Sequence, residues 1–374
     1  MHITYLVKNE RRMKYIVALD SFKGSLTSVE ACEALAESLR AKGRDVVCLP
    51  LSDGGDGMID ALAYNLKGWE REECRCHDAL MRSCKANYLK KGDRAIIESA
   101  QACGLLRVMD EEPRPLLATS YGVGEMMMDA IYKGVRDFTI GLGGTATSDS
   151  GLGMLRGFKE AFLRTRGIFD PRFKTWQDVE PYLKSLNLRV TLASDVTNPL
   201  TGPKGAAAVF APQKGASTDD VRILERKALS FASMSARHFG FDKSQEPGAG
   251  AAGGLGYALM QYFNGKMQSG AELILSLLHF DDCLKSDSCT VITGEGRADR
   301  QTLMGKLPFV VLQHCKRVGA TCILLAGQID DRTSLLEAGF DEARSINAPG
   351  EPLEEAMKPE TAKRNLSLAI EPGE

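Results

Sequence analysis

Residues 14–25 read Lys14-Tyr15-Ile16-Val17-Ala18-Leu19-Asp20-Ser21-Phe22-Lys23-Gly24-Ser25, and the break at Asp20 decides the fold class. The apolar run 16–19 is short enough for a strand, and a polar, glycine-bearing loop follows at once. Helical spacing then takes over across residues 27–42, with Val29, Leu35 and Leu39 as its apolar face. Thr27 or Ser28 supplies the cap and Gly43 the stop. Residues 46–51 form a second strand ending in Ser52-Asp53-Gly54-Gly55-Asp56-Gly57, and a new helix starts near Met58. Strand, loop, helix, strand predicts a parallel sheet covered on both faces.

The same pattern returns near the C-terminus. Residues 289–293 read as a strand ending in Gly294-Glu295-Gly296-Arg297, residues 321–326 as another, and residues 342–346 as a short last one. Between these halves lie strands at 138–142 and 189–193 and several glycine-rich loops. The expectation is an α/β fold of two domains, which suits 374 residues. One domain is discontinuous, from residues 13–80 and 286–374. A second α/β domain, residues 81–285, is inserted in it, and residues 1–12 are an N-terminal extension carrying no evident chemistry.

Composition excludes several classes. Hydrophobic residues make up 44% of the chain and the formal net charge is −2, so nothing points to nucleic acid or an acidic membrane surface as partner. No run of about 18 apolar residues suggests a membrane span, and the first residues lack the apolar stretch of a secretory signal. The expected location is the cytoplasm. Ten cysteines are scattered, and only Cys74, Cys76 and Cys84 cluster, beside His77. Their spacing matches no standard zinc or haem motif, so they read as reduced thiols.

In an open parallel sheet, ligands sit beyond the carboxyl ends of the strands where the strand order reverses. With an order 2-1-3-4-5, the loop 20–25 faces the loop 294–299 there. Asp20, Lys23, Ser25, Glu295, Arg297, Asp299 and Lys306 are what a site for polyanions needs: cations offset phosphate or carboxylate charge, and carboxylates hold Mg²⁺ or take a hydroxyl proton. Most charged loop residues are merely solvated; their clustering at strand ends is what singles these out. Asp53 and Asp56, set among three glycines, exceed what a simple Asp-Gly turn requires. The loop from Gly141 to Gly153 offers amides and a following helix as a phosphate cradle, with Gly143, Gly144, Thr145 and Thr147 as its contacts. Asp195, just after strand 189–193, is a base or a turn-forming cap. No Walker A loop and no His-Arg-Asp catalytic loop occurs. Gly248-Ala249-Gly250-Ala251-Ala252-Gly253 spells a dinucleotide fingerprint, with Glu272 downstream, but no apolar strand precedes it.

Together these segments resemble the bacterial glycerate kinase family. The resemblance rests on DSFKGS at 20–25, LSDGGDG at 51–57, TSYGVGE at 119–125 and GLGGTATSDSGLGML at 141–155. It continues with SDVTNPLTGPKGAAAVFAPQKGA at 194–216, PGAGAAGGLG at 247–256 and TGEGRADRQTLMGK at 293–306. Seven separated motifs in order are specific. Asp56 stands where the family more often has Glu, and Leu19 where it has Pro. The resemblance implies a flavodoxin-like domain with a second α/β domain inserted, an active site in the cleft, and ATP-dependent phosphorylation of D-glycerate to 2-phosphoglycerate with Mg²⁺. On that footing Asp195 orients or deprotonates the acceptor hydroxyl. Lys23 and Arg297 hold the glycerate carboxylate or the moving phosphoryl group. Asp20, Ser25, Asp53, Asp299 and Lys306 bind substrate, Glu295 and Asp53 hold Mg²⁺, and the Gly143–Thr147 loop takes the ATP phosphates. D-glycerate and ATP are the only partners implied, with a homodimer left open. Two other readings stand beside it: an NAD-dependent hydroxy-acid dehydrogenase, and a non-catalytic sugar-acid sensor.

Overall fold

The strand opened at Lys14 belongs to the first of two sheets in the computed structural model, which describes residues 14–108, 114–165, 175–285 and 289–370. The extension 1–12 lies outside the described residues. In chain order the strands are β1 (Lys14–Leu19), β2 (Asp45–Cys48), β3 (Glu70–His77), β4 (Ser83–Lys91), β5 (Arg94–Glu98), β6 (Asp137–Gly141), β7 (Arg189–Ala193), β8 (Lys266–Gln268), β9 (Cys289–Ala298), β10 (Thr321–Ile329) and β11 (Glu342–Ser345). The chain divides into two compact units, Met1–Leu51 with Leu275–Glu374, and Ser52–Ile274.

The first unit carries five parallel strands in the order β2-β1-β9-β10-β11. Read from β2, that is 2-1-3-4-5, with its switch point between β1 and β9. Helix α1 (Ser28–Ala41) begins with a capping box: Thr27 Oγ1 accepts from the Glu30 amide, and Glu30 returns a carboxylate oxygen to the Thr27 amide. Ala31, Cys32, Leu35 and Leu39 bury one face of α1 with Val17, Leu19 and Leu366. β9 runs on through Gly294-Glu295-Gly296-Arg297 to Ala298, whereas the sequence suggested that the strand stops before this motif. β10 pairs with it in register as far as Ile329, which holds that motif extended.

The second unit holds a six-stranded sheet, β3-β4-β5-β6-β7-β8, in which β3, β4 and β5 are antiparallel neighbours and β5 to β8 are parallel. Residues 52–80, expected in the first unit, belong here. The physical cause is β3, which pairs with β4 along its whole length from Glu70 to His77. Residues 275–285, expected with the insert, fall in the first unit instead, because the crossing lies within the helix Gly270–Leu277. The core beside the sheet is built from the helices Tyr121–Tyr132, Leu152–Thr165 and Ala251–Phe263, with Met126, Phe158 and Tyr257 deep in it. Gly124 and Gly157 let the first two helices touch backbone to backbone: a Cβ on Gly124 would strike the Met154 carbonyl, and one on Gly157 the Tyr121 carbonyl. Among the described residues no helix is long and apolar enough to cross a membrane.

Candidate active site

In the first unit the candidate residues gather at the switch point. The Asp20 amide donates to the Gly294 carbonyl at 2.9 Å, bringing the ends of β1 and β9 together, and Asp20 Oδ1 accepts from the Ser21 amide at 2.7 Å. Lys23 is exposed on the following loop, and the Ser25 hydroxyl is buried with no hydrogen-bond partner among the described residues. Glu295 is buried on β9. Its carboxylate accepts from Thr302 Oγ1 at 2.6 Å and from Lys306 Nζ at 3.2 Å, yet burial still pushes its pKa up. Thr302 also accepts from the Asp299 amide at 3.1 Å, while Asp299 Oδ1 accepts from the Gln301 amide at 2.7 Å. Arg297 touches this group only loosely, 4.0 Å from Asp299. Its guanidinium pairs more closely with Asp330, at 2.6 Å, just past the end of β10.

In the second unit the segment 52–57 crosses the carboxyl ends of β5, β6 and β7. Gly54, at φ 92°, accepts from the Gly143 amide at 3.2 Å and lies so close to Ala193 that a Cβ would reach its carbonyl oxygen at 3.0 Å. Asp53 Oδ1 accepts from the Gly55 amide at 2.9 Å. At the other end, helix α2 (Met58–Asn65) has no cap of its own at Gly57. Glu98, at the end of β5 and 2% exposed, supplies it: its two carboxylate oxygens accept from the Gly57 amide at 3.2 Å and the Ile59 amide at 3.0 Å. Burial pushes the Glu98 pKa up to about 7, and the charges of Asp56 and Asp60 push the same way.

Asp195 follows β7 at the same rim. Its carboxylate accepts from Ser269 Oγ at 2.7 Å, from the Gly270 amide at 3.0 Å and from the Ala271 amide at 3.3 Å, at the N-terminus of the helix Gly270–Leu277. Removal of the carboxyl from water raises its pKa, helped by the Asp53 charge and opposed by the Ser269 bond. Asp195 thus caps a helix, and its carboxyl holds a proton more readily than a free aspartate does.

The glycine-rich loop differs from the expected cradle. Asp149 occupies the N-terminus of the helix Leu152–Thr165, accepting from the Gly151 and Gly153 amides at 3.0 Å each and from the Ser120 amide at 2.8 Å. An anion offered to that helix end would meet a carboxylate. The Gly143 and Ala146 amides are engaged with Gly54 and Cys103 carbonyls. Thr145 and Thr147 are buried, while Gly143 and Gly144 keep partial exposure. Beneath the loop lies Lys214, whose Nζ donates to the Thr147 carbonyl at 2.7 Å.

The matching sequence model is that of the glycerate kinase family, and it spans residues 15–372. The chain belongs to the glycerate kinase family. Among its relatives, a glycerate kinase of Halalkalibacterium halodurans is 36% identical over 94% of this chain and 97% of its own. A glycerate 2-kinase of Escherichia coli is 34% identical over 92% and 93%. A solved structure, a candidate glycerate kinase 2 from Salmonella typhimurium LT2, superposes with a TM-score of 0.74 at 32% identity, covering 95% of this chain and 96% of that one.

Family membership and the fold agree with the resemblance carried by the seven motifs. The dinucleotide fingerprint at Gly248 is a packing element: residues 241–250 form no strand, and Ala252, Gly253 and Gly254 adopt left-handed backbone where Gly253 accepts from the Ser150 amide at 2.9 Å. Cys76 and Cys84 face each other across β3 and β4 with sulfurs 3.6 Å apart, and among the described residues no group of three or more ligating side chains is placed to hold a metal ion. Sequence reasoning missed Glu98, Asp149 as a helix cap and Ser269; it offers Lys214 only as a lysine in a tight turn, not as a buried one. An acid at the end of the apolar run Ala95-Ile96-Ile97 was the one available signal for Glu98.

Proposed function

We propose that the chain transfers the terminal phosphoryl group of ATP to D-glycerate, giving 2-phosphoglycerate. The observation that carries this is Asp195, an acid at a strand end whose carboxylate is fixed by three donors and whose proton affinity is raised. Phosphoryl transfer asks the protein for positioning and charge stabilisation more than for covalent chemistry. Asp195 orients the acceptor hydroxyl and takes its proton as the new O–P bond forms and ADP leaves with the electron pair of the bond that breaks. Lys23, free of any carboxylate among the described residues, holds the glycerate carboxylate, and Asp20, Ser25 and Asp299 flank it. The Glu295–Lys306 pair adds a second cation beside the switch point of the first unit's sheet. Arg297, tied to Asp330, fits a supporting place in the sheet better than contact with the moving phosphate.

Mg²⁺ fits Asp53 better than Glu295. Asp53 spends one oxygen on the Gly55 amide, and a nucleotide's phosphates supply further oxygen ligands of the kind Mg²⁺ prefers. Glu295 spends its carboxylate on Thr302 and Lys306, and an ammonium repels a metal ion. The ion would neutralise phosphate charge as the transfer proceeds. Gly143 and Gly144, with their partial exposure, are the part of the glycine-rich loop that takes the phosphates, backed by Thr145 and Thr147.

The test is ADP release measured with ATP, Mg²⁺ and D-glycerate together and with each left out. Release that requires all three supports the kinase. Binding of D-glycerate without ADP release would indicate a sensor, and reduction of NAD⁺ by glycerate a dehydrogenase.

A further inference from the structure

Lys214 ends the one-turn segment Pro212–Lys214 and is 9% exposed. Its ammonium donates to the Thr147 carbonyl oxygen at 2.7 Å and to Thr145 Oγ1 at 3.4 Å. No described carboxylate forms an ion pair with it; Asp149 and Cys103 act on it through space. Two neutral oxygens replace an ammonium's hydration poorly, so a buried cation of this kind is costly unless another anion completes its surroundings. The loop above it has little positive potential of its own to offer. Its Gly143 and Ala146 amides are engaged, and Asp149 fills the helix end that would otherwise attract an anion.

We propose that Lys214 is a further positioning residue for the nucleotide: its ammonium, held beneath the glycine-rich loop, stabilises the oligophosphate of a nucleoside di- or triphosphate lying against Gly143 and Gly144, and so sets nucleotide affinity. The inference rests on the reading of that loop as the phosphate site.

Geometry and titration then make a joint prediction. Burial pushes the Lys214 pKa down to about 8. The titratable groups facing it are Cys103, from the helical turn Ala100–Cys103, and Asp149, from the loop before the helix Leu152–Thr165. A phosphate anion beside the loop favours the charged form, so nucleotide binding near pH 8 takes up a proton.

The experiment is calorimetric titration of the full-length protein with Mg-ADP at pH 8, in two buffers of different ionisation enthalpy, for the wild type, Lys214→Met and Lys214→Arg. The wild type is expected to take up about half a proton on binding. Lys214→Met is expected to take up none and to bind about tenfold more weakly or worse, and Lys214→Arg to recover most of the affinity. The thermal midpoint of ligand-free Lys214→Met should equal or exceed the wild type's, because an unpaired buried charge has gone. A wild type that binds without proton uptake overturns the proposal, whether or not the variants fold. So does a Met variant that binds as tightly as the wild type. Amide hydrogen exchange separates this outcome from failure of the underlying reading. If Mg-ADP protects residues 143–148 while affinity is indifferent to Lys214, only the lysine's role is lost; if it binds and leaves them unprotected, the phosphate site lies elsewhere.

Discussion

The Ser269 hydroxyl donates a 2.7 Å hydrogen bond to Asp195, and the next two amides of the same chain turn complete the grip on that carboxylate. One side chain thus fixes a helix end and presents an acid of raised proton affinity at the rim of the sheet. Substitution should separate the two roles. Asp195→Asn keeps an acceptor for the helix end, so the fold should survive, while kcat falls by about 10²–10⁴ with the loss of the base. Steady-state kinetics beside circular dichroism checks this. Near-normal turnover in a folded variant would remove Asp195 from the chemistry.

Glu98 predicts a pH dependence of stability. Its folded-state pKa, about 7, is raised above the ordinary value of 4.5, so the folded protein favours the neutral acid. The stability it contributes is complete below about pH 4.5 and is lost as pH rises through 7, a span worth about 3 kcal/mol. Glu98→Gln gives up one amide acceptor at every pH, but it removes this slope. Urea unfolding at pH 4 and pH 8 should show the variant gaining on the wild type at the higher pH. A pH-independent difference between the two would contradict the assignment.

Gly124, within the motif at 119–125, and Gly157, just beyond the motif at 141–155, are glycines whose role is packing. Each faces a backbone carbonyl of the neighbouring helix, with no space for a methyl group. Gly124→Ala and Gly157→Ala should each lower unfolding free energy by about 1–3 kcal/mol. KM for glycerate should stay within about twofold, since neither residue lies at the rim.

Lys23 and Arg297, alike in charge, should behave differently. Arg297 is paired with Asp330, and Lys23 is not paired with any described carboxylate. Lys23→Ala should raise KM for glycerate by about 10–100-fold, the worth of a charged hydrogen bond. Arg297→Ala should change it by less than about threefold. The reverse ranking in glycerate titrations would return Arg297 to the substrate.

The parts of the fold legible in the sequence were those written in local periodicity. β1, α1 and the strands at 189–193 and 321–326 announce themselves by apolar runs, caps and glycine stops, and the sheet order follows from parallel βα connections. β3 was not legible. Glu70-Arg71-Glu72-Glu73-Cys74-Arg75-Cys76-His77 is mostly charged, and only Cys74 and Cys76 turn inward, so the strand is specified by its partner β4. That single omission moved the expected domain join by nearly thirty residues, from about residue 80 to Leu51. The candidate site was legible where acids and glycines end strands, as at Asp20, Asp53 and Asp195. What stayed hidden was burial: Glu98 caps a helix 39 residues earlier at Ile59, Lys214 lies under a carbonyl 67 residues earlier, and Asp149 turns onto the Ser120 amide 29 residues earlier as well as onto its own helix end.

The proposed reaction is phosphoryl transfer to the 2-hydroxyl of D-glycerate. ³¹P NMR of the product formed from ATP, Mg²⁺ and D-glycerate tests it most directly, because the 2- and 3-phosphates give separate resonances. A single new resonance of 2-phosphoglycerate, growing with ADP, is the predicted result. A 3-phosphoglycerate resonance, or none, would contradict it.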